Sequence, residues 1–178
     1  FIGRFEKGVD YIGDLAIFEA EVEKHAAVMK YFNTYKLSIH SGSDKFTIYP
    51  ILAKYTDGLV HLKTAGTSYL EALRVMAVHE PAFFRSVMEF AEEHYEADRA
   101  SYHVSANLEH IPGWHMMADS DLVKLLDHFD ARQVLHVTFG SALQVFGKEL
   151  LAYLDQYEDE YGQVLETHFV KHLAPFVE

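Results

Sequence analysis

The chain has 178 residues, enough for one domain with a substantial core, and its 49% hydrophobic and 24% charged content is ordinary for a globular protein. It contains no cysteine and no long apolar run, so disulfides, zinc–thiolate sites and a transmembrane helix are excluded. A net charge of −12 with fifteen scattered basic residues argues against nucleic acid, yet an anionic sugar needs only one or two well-placed cations.

Val9 to Ile12 is short and apolar enough for a strand, with Gly13 turning the chain. From Ile17 to Phe32, Phe18, Val22, Ala26, Met29 and Phe32 recur at helical spacing, with Asp14 placed to cap the helix. His25 falls within that stripe and reads as packing. Lys36 to His40 is a second strand, followed by the turn-rich Ser41-Gly42-Ser43-Asp44. Phe46 to Tyr55 reads as a short helix limited by Pro50, and Asp57-Gly58 as a turn. Leu59 to Lys63 is a third strand, ending in Thr64-Ala65-Gly66-Thr67.

Ser68 and Glu71 form a capping-box pattern for a helix to His79, and Pro81 opens another to Tyr102. The stretch from Val104 to Ala118, with Trp114, is irregular and reads as a lid. Asp119 or Ser120 caps a short helix to His128. Gln133 to Thr138 reads as a fourth strand, preceded by an Asp130–Arg132 ion pair. Two helices then meet near Gly162, with Asp155 to Glu160 as a solvated face.

Strands alternating with helices imply an α/β fold with a parallel sheet. About four strands cannot close a barrel, so the reading is an open sheet or the C-terminal portion of a TIM-like (β/α)8 barrel. Residues 1–178 form a single domain or fragment. The start at Phe1 suggests the middle of a larger protein. Nothing resembles a signal peptide, and a cytoplasmic location is expected.

In parallel α/β folds, chemistry gathers at the carboxyl ends of strands. Without cysteine, a transition metal needs His, Asp or Glu. Side chains alternate along a strand, so His40 and His136 from two strands, with Asp14 at the end of another, suit a three-ligand site. A lone His at a strand end is more often structural. Ser41, Ser43 and Asp44 could bond sugar hydroxyls, and Lys45 or Lys63 a carboxylate. The bland alternative is a surface turn with a capping Asp. Thr64 and Thr67 sit where free helix N–H groups could hold an anion, or simply cap the helix. His79, His94, His168 and His172 lie on helices away from strand ends and read as solvated.

Asp10-Tyr11-Ile12-Gly13-Asp14, the run Lys36-Leu37-Ser38-Ile39-His40-Ser41-Gly42-Ser43-Asp44-Lys45-Phe46, Lys63-Thr64-Ala65-Gly66-Thr67 and Asp130-Ala131-Arg132-Gln133 before His136 together resemble the tagaturonate epimerase family. The resemblance covers nearly the whole chain. It implies interconversion of D-tagaturonate and D-fructuronate with a divalent metal on a TIM-barrel-like fold. It also implies a chain much shorter than its relatives, expected to be poorly active alone. Asp44 is a candidate acid or base, and further proton carriers would lie outside this chain. The rivals are another metal-dependent ketose epimerase, isomerase or aldolase, and a non-catalytic sugar-binding α/β domain.

Overall fold

In the computed structural model, which describes residues 3–40, 44–64 and 66–177, the chain is mostly helical around one small sheet. Asp14 caps the first helix, α1 (Leu15–Phe32), by accepting from the Ile17 N–H at 2.9 Å. Asn33 closes α1 in the left-handed conformation, its N–H bonded to the Met29 carbonyl. Phe18, Val22, Ala26 and Met29 form the buried stripe. His25 is exposed instead of packed.

Strand β1 (Leu37–Ile39) leads through a 3-10 turn at Phe46–Ile48 into α2 (Tyr49–Thr56), then strand β2 (Val60–Leu62). The strands pair in parallel, Ser38 opposite His61. Ile39, Val60 and Leu62 pack against a core of Tyr11, Phe18, Val22, Ile48, Tyr49 and Leu52. Ser38 and His61 point the other way, to solvent, with Ser38 Oγ and His61 Nδ1 2.8 Å apart. The alternation of strand side chains thus gives the sheet one apolar and one polar face.

The expected strand at Val9 to Ile12 is not formed. Its polar groups bond elsewhere: Asp10 accepts from Thr47, and the Val9 carbonyl accepts from Lys45. The expected strand at Gln133 to Thr138 is helix α5 (Phe129–Val137), so the chain supplies two parallel strands instead of four among the described residues. His128 caps α5, and almost every side chain from Asp130 to Val137 is buried. A helix buried on all sides loses its amphipathic period and reads like a strand.

Helices α3 (Thr67–His79), α4 (Pro81–Asp98), α5, α6 (Phe139–Gln156) and α7 (Glu158–Leu173) form the second, larger core, joined by a 3-10 segment at Asp119–Leu126. The capping box at Ser68 and Glu71 is absent: Gly66 caps α3 at φ +83°, and Glu71 is buried and pairs with Arg74 at 3.1 Å. The last two helices break at Tyr157, with Gly162 inside α7. The stretch read as a lid is tied down, because Arg85 donates to the Trp114 and Met117 carbonyls and Trp114 Nε1 to Glu92. No helix among the described residues is long and apolar enough to cross a membrane.

Candidate metal centre

The loop after β1 carries Asp44 inward, where the two cores meet. It is 5% exposed, and its carboxylate collects four partners from three helices. Oδ2 accepts from Arg132 of α5 at 2.6 Å. Oδ1 accepts from Thr67 at the start of α3 at 3.1 Å. His168 Nε2 and His172 Nε2, both on α7, lie 3.1 and 3.0 Å from that same Oδ1. The two Nε2 atoms are 3.0 Å apart. Spacing of four residues puts both imidazoles on one face of the helix. Phe46 packs against both rings.

The outer nitrogens are also held. His172 Nδ1 lies 3.0 Å from the Tyr49 hydroxyl, and His168 Nδ1 lies 3.4 Å from Glu71. Burial alone would raise the Asp44 pKa, but the bonds to His168 and His172 and the Arg132 charge hold it far below the usual carboxylate range.

Three electron-rich atoms at the corners of a 3 Å triangle repel one another unless something positive sits among them. The triangle also fits a metal. Bonds of about 2.1 Å at right angles give ligand–ligand edges of about 3.0 Å, the spacing found here. Among the described residues this is the group of three His, Asp or Glu side chains that could hold an ion. Asp44 and His168 line a cavity of about 890 Å3. Three protein ligands beside an open space are the arrangement of a site that keeps positions for a substrate.

His40, His136 and Asp14 do not assemble into such a group. His40 is exposed after β1, and Asp14 is occupied as the α1 cap. His136 lies on α5, buried against Gly8 and Gly66, and its placement at a strand end fails with the strand itself. Burial first, then the Arg132, Lys7 and Lys45 charges, push its pKa down to about 4.

Lys45 is fully buried, its ammonium donating to the carbonyls of Glu6, Val9 and Asp44, so it staples the N-terminal loop and is not placed to meet a substrate. Burial, partly offset by Asp10 and Asp44, lowers its pKa to about 8. Thr67 is buried and committed to Asp44. Lys63 is exposed and Thr64 half-buried at the end of β2. Ser41 and Ser43 lie outside the described residues. Arg132 pairs with Asp44, while Asp130 accepts from the Asn107 N–H at 2.8 Å, so the expected Asp130–Arg132 pair is replaced. His168 and His172, expected to be solvated, are 5% and 2% exposed. Their signal was in the sequence: two histidines at helical i, i+4 spacing can share one ligand.

A buried carboxylate and two imidazoles beside a cavity, together with a parallel β–α–β unit, make this an α/β protein with a candidate metal site. The tagaturonate epimerase (UxaE) family profile matches residues 1–176. The tagaturonate/fructuronate epimerase of Thermotoga maritima is 45% identical over 175 residues, covering 97% of this chain and 36% of that protein. Crystal structures of fructuronate-tagaturonate epimerase UxaE from Cohnella laeviribosi, native and with one glycerol bound, each superpose with a TM-score of 0.94 at 43% identity. They cover 99% of this chain and 37% of theirs. The chain belongs to the tagaturonate epimerase family and spans little more than a third of the length of these relatives.

Proposed function

We propose that this chain is part of a divalent-metal-dependent epimerase that interconverts D-tagaturonate and D-fructuronate. The observation that carries the reading is identity of 43–45% with proteins of that name across nearly the whole chain. The β1–α2–β2 unit suits a piece of a β/α barrel whose other strands belong to the longer protein.

The two sugars differ at C4, which is β to the C2 ketone, so simple enolisation cannot invert it. Breaking the C3–C4 bond in the retro-aldol direction leaves an enediolate and an aldehyde. Rotation of the aldehyde and re-addition then give the epimer. Asp44, His168 and His172 are the residues that would hold the ion. A bound divalent ion supplies Lewis-acid polarisation and offsets negative charge on oxygen.

This chain's own groups position the reaction more than they move protons. Asp44, ionised and bonded on both oxygens, is suited to be a ligand and poorly suited to be an acid or base. His40, Lys63 and Thr64 at the strand ends, with Ser41 and Ser43 of the sequence that follows His40, are the groups we assign to the sugar. Lys63 suits its carboxylate.

The test replaces the matching segment of the Thermotoga maritima epimerase with this chain and follows tagaturonate conversion by NMR, with fructose and tagatose as rival substrates. Conversion of tagaturonate to fructuronate that falls at least tenfold on Lys63→Ala is expected. A chimera that turns over only the neutral ketoses would overturn the substrate assignment.

A further inference from the structure

A second cavity, of about 310 Å3, opens between the N-terminal loop, the turn after β2 and the junction of α5 with α6. Lys7, Gly66, Asp98, Tyr102, His136 and Phe139 line it. None of these side chains belongs to the Asp44 group. The volume suits one small molecule.

His136, 8% exposed, brings an imidazole to this cavity whose buried Nδ1 has no hydrogen-bond partner. Buried polar atoms are nearly always paired, so an orphan marks a partner that the fold does not supply. Gly66 leaves the ring its place, because a Cβ there would stand 2.6 Å from His136 Cε1.

The other polar groups define what that partner is. Lys7 Nζ sits 3.7 Å over the Tyr102 ring, and its ammonium pairs with no carboxylate among the described residues. Asp98, the last residue of α4, accepts from the Ser141 hydroxyl through Oδ2, which leaves Oδ1 to accept again. The Gly140 and Ser141 N–H groups precede the first backbone bond of α6, from Ala142 N–H to the Thr138 carbonyl at 2.9 Å. The cavity therefore holds one cation, one carboxylate and free donors. An anion drawn to Lys7 would meet the like charge of Asp98. A hydroxyl both donates and accepts, so neighbouring hydroxyls satisfy Asp98 Oδ1, Lys7 and the imidazole together. Tyr102 and Phe139, 38% and 37% exposed, offer ring faces to the C–H side of such a chain.

We propose that this second cavity is a polyol subsite, which holds the hydroxylated carbon chain of a sugar through Lys7, Asp98 and His136. Gly66 stands three residues after Lys63, on the same turn, so the subsite extends the groups assigned to the sugar. The choice of a sugar acid as the whole ligand rests on the epimerase reading; the polyol chemistry rests on the cavity.

The test titrates the 15N-labelled chain with galactitol, an uncharged six-carbon polyol, and separately with inorganic phosphate and with acetate. Galactitol should shift the Gly140 and Ser141 amides and the His136 ring nitrogens and saturate in the millimolar range, and the two anions should not. Lys7→Met and Asp98→Asn should each weaken galactitol binding about tenfold, the scale of one hydrogen bond to a charged group. No galactitol shift at these signals would overturn the inference. Phosphate or acetate saturating them in its place would do the same, as would tighter binding in Asp98→Asn. If either variant does not fold, the wild-type comparison of galactitol with phosphate decides. No turnover is read, so a chimera inactive on tagaturonate would sink the epimerase reading and leave the polyol result standing.

Discussion

The two regions of this molecule are stabilised by different means. The helical region, from α3 to α7, buries a large continuous core that includes Leu73, Met76, Phe84, Met88, Leu122 and Val134. The region around the sheet has a small core, and one face of its strands is polar and open. Much of what joins the second region to the first is polar. Glu6 accepts from Ser105 and Gln133, Arg132 donates to the Gly8 carbonyl and to Asp44, and Asp44 meets His168 and His172. The candidate metal centre therefore doubles as the junction. Hydrophobic burial is non-directional, whereas a buried carboxylate fixes its partners in place. The small region gains from that link a defined position that its own core is too small to impose.

Removing the link is the most severe way to test this contrast. Asp44→Ala leaves the Arg132 guanidinium, 14% exposed, without its carboxylate, and breaking such a buried pair costs about 3–5 kcal/mol. Urea denaturation should register that loss. A cost below about 1 kcal/mol, the range of a surface pair, would mean that the junction is not held this way. Leu73→Ala and Leu52→Ala come next, each at about 2–5 kcal/mol for a fully buried leucine. They should separate in hydrogen exchange. Leu73→Ala should weaken protection throughout, while Leu52→Ala should open chiefly α1 and α2. Equal loss everywhere in Leu52→Ala would make the molecule one cooperative unit and end the comparison.

A pH titration sharpens it further. His136 lies on α5, against Gly8 of the N-terminal loop and Gly66 at the entry to α3. Its folded pKa, about 4, is below the unfolded value of about 6.5. The unfolded chain therefore binds the proton more readily, so this contribution is fully present above pH 6.5 and is lost as pH falls towards 4. The lost stability amounts to about 3 kcal/mol. Unfolding measured against pH in the wild type and in His136→Leu should differ by that slope between pH 6.5 and 4. Parallel curves would mean that His136 titrates normally.

How much of this could be read from the residues follows the same division. The helix from Ile17 to Phe32 with its Asp14 cap, the β1–α2–β2 unit and the helix opened by Pro81 all carry local signals: a periodic stripe, a capping residue, a turn pair. Those signals act within a few residues and survive in the fold. Helix α5 reads as a strand because near-complete burial from Asp130 to Val137 erases its period. Asp44 was legible as a site residue from its turn. Its partners Arg132, His168 and His172 stand 88, 124 and 128 residues away, and no local rule connects positions so far apart. Lys45 was misjudged for a related reason. A lysine in a polar turn is usually solvated, and only the folded N-terminal loop brings the Glu6 and Val9 carbonyls that, with that of Asp44, accept from its buried ammonium.

The smallest expected effect distinguishes the two roles open to Asp14. As the α1 cap it is exposed and holds one helix N–H, and replacing such a residue by alanine costs about 1 kcal/mol. As a metal ligand it would instead govern ion binding. Asp14→Ala should therefore lower stability slightly, with the loss of protection confined to the first turn of α1, while Zn2+ affinity stays at the wild-type value. His172→Gln should do the reverse and abolish binding. If Asp14→Ala released the ion, the centre would lie at the start of α1, and the junction between the two regions would have to be explained without it.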